Sequence, residues 1–154
     1  MPSETRTEPI RLVFSERDAH VVIEPADEDR FVMRVNEAIE ACRVYEEFQS
    51  LFRQQLDYLK NTLGTWRREH MHAIEKAFLT LQDDRMLFLV VMAEKGYDST
   101  LEDDLTELEL RIAQDPACSR IKLDVQALPS CDEHAYVSFC NPAWMLEYTS
   151  SNAD

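Results

Sequence analysis

The chain has 154 residues and a formal charge of −14, with 30 Asp and Glu against 16 Lys and Arg. That length suits one domain rather than two, and the charge works against nucleic acid or anionic lipid as partners, because both repel an acidic surface. Two glycines are too few for the corners of a barrel or sandwich, and the longest apolar run, Met86 to Ala93, is far short of the roughly 20 residues that span a bilayer.

Residues 1–9 read as a polar tail. The first ten residues carry no apolar stretch of the kind an export signal needs, so a cytoplasmic setting with reduced thiols is expected for Cys42, Cys118, Cys131 and Cys140. From Ile10 the pattern changes. Ile10, Leu12 and Phe14 alternate with Arg11 and Val13, a polar stretch follows at Ser15–Asp18, and His20 to Ile23 resumes the apolar character. This predicts a β-hairpin.

Between Asp27 and Leu63 there is neither Pro nor Gly, and Phe31, Val35, Ile39, Cys42, Tyr45, Phe48, Phe52, Leu56, Leu59 and Leu63 recur every three or four residues. That spacing predicts one long helix. Asp27 stands where its first amides need a cap and Gly64 where it would stop. Such a rod is about 55 Å long, whereas a compact body of this size is about 40 Å across. The overhang predicts a second copy packed along it, a homodimer with Tyr45, Phe48, Phe52, Leu56 and Leu59 at the interface.

A second helix is predicted from Thr65 or Trp66 to about Phe78, and a turn at Gln82–Asp84. Residues 86–92 are apolar on both faces, as in a central strand. After a loop at 93–98, Ser99 and Glu102 form a capping box for a helix over 100–114, and residues 120–127 alternate as a strand that Pro129 ends. Strand, helix and strand together predict a right-handed βαβ unit. Residues 130–148 read as a short helix or arm, and 149–154 as a loose tail. The expected fold is α+β with an α/β-like half: one domain over 10–148, with a mixed sheet of about four strands.

No complete catalytic constellation is legible. Ligands in parallel sheets gather beyond the C-terminal ends of strands, which singles out Glu94, Tyr97 and Asp98 as a candidate small-molecule or enzyme site. Phosphate fits poorly there, since Glu102, Asp103 and Asp104 are favourable first-turn charges that repel an anion. Glu94, Asp98 and Asp103 have the oxygens a hard cation wants, but acidic loops in so acidic a protein are ordinarily solvated surface. His70 and His72 are two apart, the wrong spacing for one metal on a helix. Cys118, Cys131, His134 and Cys140 are zinc-ligand types without a tight Cys-x-x-Cys knuckle. Cys131 with His134 has the types for a nucleophile and base but no orienting third group, and no Gly-x-Ser-x-Gly elbow occurs. The expectation is therefore no metal, no cofactor, and a non-enzymatic interaction or regulatory module partnered by itself or another protein.

Overall fold

The alternating residues at the start form β1 (Ile10–Phe14), which pairs antiparallel with a two-residue β2 (Val22–Ile23). The computed structural model describes residues 8–17, 19–41, 49–96 and 98–150, with Gln49 described by its backbone alone. After a single 3-10 turn, α1 (Glu28–Ala41) begins, and then α2 (Gln49–Glu69). Asp27 anchors the start of α1 to β1: its buried carboxylate accepts from Arg11 N at 2.8 Å and from Arg30 Nη1 at 3.0 Å.

The predicted rod does not exist. Lys60 Nζ lies over the Phe31 ring at 5.3 Å, and Arg53 Nη2 donates to Asn36 Oδ1 at 3.0 Å. Residues 29 positions apart on one straight helix would be about 43 Å apart, so α1 and α2 are separate helices folded back on one another. Phe52, Leu56 and Leu59, expected at a dimer interface, are at most 1% exposed and belong to the chain's own core. Tyr45 and Phe48 lie outside the described residues. The apolar stripe is real, but the sheet covers it.

Gly64 does not stop a helix either. It lies inside α2, where a Cβ would overlap Val21 Cγ2. Next to it Val21 N donates to Asn61 Oδ1 at 2.6 Å, so the glycine admits the chain between β1 and β2 onto the helix. The predicted second helix is likewise replaced. Trp66 is still on α2, and after a turn at residues 70–73 the chain becomes β3 (Ile74–Gln82). A two-residue turn leads to β4 (Arg85–Met92), with Asp83 at φ 46°, a left-handed conformation that Asp tolerates.

The strand–helix–strand order of the predicted βαβ region is present. Helix α3 (Ser99–Gln114) joins β4 to β5 (Leu123–Leu128), and the two strands are parallel neighbours. Its cap is Asp98 rather than Ser99: Asp98 Oδ1 accepts from Leu101 N at 3.1 Å. A short α4 (Glu133–Val137) follows. The end of the chain holds the other correction, for β6 (Met145–Ser150) includes two residues assigned to a loose tail. It inserts between β1, to which it is parallel, and β3, to which it is antiparallel. Among the described residues the sheet thus has six strands rather than about four, in the order β2-β1-β6-β3-β4-β5.

Each face of this sheet has its own cluster. On one, Leu12, Leu79, Phe88 and Leu146 meet Phe52, Leu59 and Leu63 of α2 and Leu105 and Leu108 of α3. On the other, Phe78, Leu87, Leu89 and Val91 meet Tyr136 and Cys140, with the Tyr136 ring stacked on Phe78 at 5.3 Å. A bulge between Ile74 and Lys76 lets Ile74 and Ala77 share the helix face although their spacing is odd. No helix among the described residues is long and apolar enough to cross a membrane.

Candidate functional site

Helix α2 lies against β1 and β6, and α3 against β5; a trough runs between the two helices. It holds about 840 Å³ and is lined by Trp66 and Glu69 from α2, by His70 in the turn just after it, by α3 side chains from Asp104 to Gln114, and by Asp115 and Pro116. The reason is helical spacing. Leu101, Leu105, Leu108 and Ile112 turn α3's apolar stripe to the sheet, which leaves Asp104, Glu107 and Arg111 along the flank nearest α2. Trp66 and Leu108 form an apolar floor, both buried. Around it stand four carboxylates, Glu69, Asp104, Glu107 and Asp115, and Arg111.

At one end His70 stacks on Trp66 with centroids 4.1 Å apart. Its Nδ1 is 2.8 Å from Trp66 O, which can only accept, and its Nε2 is 3.2 Å from Asp104 Oδ2. A catalytic histidine keeps one nitrogen for its orienting carboxylate and the other for the reacting group. Here one nitrogen faces a carbonyl and the other a carboxylate, so His70 sits between the end of α2 and α3 with both ring nitrogens beside groups of the protein itself. At the other end, Tyr58 donates to Asp115 Oδ2 at 2.7 Å. That hydrogen bond raises the phenol's pKa and, with the amide of Ala117, lowers the Asp115 carboxyl's, keeping Asp115 charged on the rim.

The residues singled out from sequence are placed elsewhere. Asp98 is occupied as the α3 cap, Glu94 is exposed, and Tyr97 lies outside the described residues. Asp103 is exposed on α3. His72 is exposed while His70 is held as above. The four zinc-type residues do not converge: Cys118 packs on the helix side of the sheet, Cys131 and Cys140 pack on the other side, and His134 is exposed. Cys42 lies outside the described residues. Among the described residues no three His, Cys, Asp or Glu side chains are grouped to hold a metal. Burial pushes the Cys118 and Cys140 thiols up to about 11, and burial with the charges of Asp132 and Glu75 raises Cys131. A nucleophilic thiolate needs the opposite.

A second, smaller groove of about 290 Å³ lies on the other face, where Arg11, Lys76, Glu133 and Glu147 surround Phe78 and Met145. Its charges are already paired, Lys76 with Glu147 at 3.2 Å and Arg11 with Glu8 at 3.4 Å. Sequence reasoning missed the α2–α3 trough. The available signal was the spacing of Asp104, Glu107 and Arg111, a polar stripe beside the apolar one, but its partners on α2 are more than thirty residues away. Comparison with family models, with curated proteins and with solved structures found no match for this chain.

Proposed function

We propose that this protein is a non-enzymatic interaction module that docks a cationic, amphipathic helical segment of another protein in the trough between α2 and α3. The observation that carries the reading is the pairing of apolar lining, Leu110 at 57% exposure beside the almost fully buried Trp66 and Leu108, with a rim of four carboxylates against Arg111. A helix laid in a groove gains affinity by burying its apolar side and gains orientation from charges at the rim. From Asp104 to Gln114 the α3 wall is about 15 Å long, just under three turns of a partner helix. The raised thiols favour binding over nucleophilic chemistry.

A second copy of the chain is a poor occupant, since it brings the same −14 charge to an acidic trough. The expected homodimer rested on an uncovered rod, and α2 is covered.

The test is calorimetric titration with a synthetic three-turn helix bearing lysines on one side and leucines on the other. Binding is expected to weaken with added salt. Glu69→Lys with Glu107→Lys should reduce affinity at least about tenfold, or ~1.4 kcal/mol, with an unchanged circular dichroism spectrum. Equal affinity for the double variant sinks the proposal.

A further inference from the structure

The two edges of the sheet differ in what they leave bare. At one, β2 is only two residues long, the short edge by which proteins avoid unwanted pairing. At the other, β5 is a regular six-residue strand with no proline and no bulge. Met86 N donates to Lys122 O at 2.8 Å, with Met86 opposite Leu123. In a parallel ladder, alternate residues face the neighbouring strand. Asp124, Gln126 and Leu128 therefore turn their amides and carbonyls toward β4, and Leu123, Val125 and Ala127 turn theirs outward. Among the described residues none of these three makes a main-chain bond beyond the sheet. A partial cover comes from the chain itself: Gln126 Nε2 donates to Ala127 O at 3.2 Å.

The ground beside this edge is acidic. With Asp104, Glu107 and Arg111 on the flank facing α2, and Leu101, Leu105, Leu108 and Ile112 on the sheet, helical spacing leaves Glu102, Thr106, Glu109 and Ala113 on the flank over the β5 edge. A second copy pairing β5 to β5 would bring Glu102 and Glu109 toward their own counterparts. A strand with Lys or Arg at every second position would instead set those cations beside Glu102 and Glu109.

We propose that the open edge of β5 takes a basic, extended segment of another protein as a seventh strand. Its backbone pairs with Leu123, Val125 and Ala127, and its alternate basic side chains meet Glu102 and Glu109 on α3. This surface lies on the opposite flank of α3 from the trough and does not depend on it.

The probe is a ten-residue peptide alternating lysine and valine, followed by NMR on the isotope-labelled full chain. The amides of Leu123, Val125 and Ala127 are expected to shift and to exchange more slowly on addition. Val125→Pro removes an outward N–H without breaking the β4 ladder, because edge strands accept proline there. It should weaken binding at least tenfold, and Glu109→Lys should do so by about as much. If Val125→Pro fails to fold, the amide map of the unaltered chain decides by itself. Glu69→Lys with Glu107→Lys should leave this binding unchanged, which separates it from the trough. Shifts confined to the α2–α3 trough, or full affinity in a folded Val125→Pro protein, overturn the proposal. So does a dimer of the protein alone that Val125→Pro dissolves, since that would give the edge to a second copy.

Discussion

The two faces of the sheet are closed by different means. Three long helices seal one, so that Phe88 lies edge-on to both Trp66 and Tyr148, at 5.8 and 6.0 Å, with no exposed surface of its own. The other is covered by the five residues of α4 and the turns around it, which reach the middle of the sheet and leave ion pairs such as Lys76–Glu147 toward β1. Where helices cover a face, stability comes from packed area. Where a short segment covers it, polar fastening takes a larger part: Thr80 donates to Trp144 O at 2.9 Å and accepts from Asn141 N at 2.8 Å, pinning the approach to β6.

The strongest way to break the helix-covered face is to empty its centre. Phe88→Ala should cost about 3–5 kcal/mol, the usual range for deleting a buried aromatic ring, measured as the change in unfolding free energy in urea. The loss should exceed that of the same change at Phe78, whose cluster is smaller. Equal losses would mean that α4 seals its side as well as three helices do.

That contrast was only partly legible in the sequence. Alternation exposed β1 and β5, the unbroken run at 86–92 exposed β4, and the Leu101-to-Ile112 stripe exposed α3, because in each case one period fits and the other does not. Ala73, Ile74, Ala77, Phe78 and Leu81 satisfy helical spacing, but a strand buried on both faces also presents apolar residues at nearly every position, and β3 is one. Strand β6 escaped because its partners, β1 and β3, are distant along the chain. The end of α1 escaped because residues 42–48 hold neither Pro nor Gly, and folding back is driven by the sheet that both helices cover. The trough fails in the same way: each of its walls is a local pattern, and their meeting is not.

Alkaline pH sharpens the comparison, since one buried thiol lies on each side. Burial lifts Cys118 and Cys140 from an ordinary value near 9 to about 11, with the Asp115 charge adding to burial at Cys118. The sign follows from the protons. Between pH 9 and 11 the unfolded chain has released a proton that the folded chain still holds, so stability is full below pH 9 and falls as pH rises. Each thiol contributes a slope of about 1.4 kcal/mol per pH unit. Replacing either cysteine by Ala should flatten the urea-derived stability profile by a similar amount. If Cys118→Ala flattens it and Cys140→Ala does not, water reaches Cys140, and the α4 side is not closed at its centre.

The smallest effect concerns a charge on the sealed side. Arg67, 7% exposed, has its guanidinium 5.4 Å from the Phe14 ring centroid and 3.4 Å from Met71 O, and among the described residues its Nε has no hydrogen-bond partner. Desolvation lowers its pKa. What favours the cation is modest: the aromatic ring and the carbonyl end of α2. Removing one member of a buried ion pair is costly because it strands the other, but among the described residues no carboxylate is paired with Arg67. Arg67→Met keeps most of the volume over Phe14 and abolishes the desolvated charge, so stability should shift by less than about 1 kcal/mol, toward stabilisation if anything. A loss of several kcal/mol on thermal or urea unfolding would show that the guanidinium fastens the end of α2 to β1, and that this face, too, depends on polar ties.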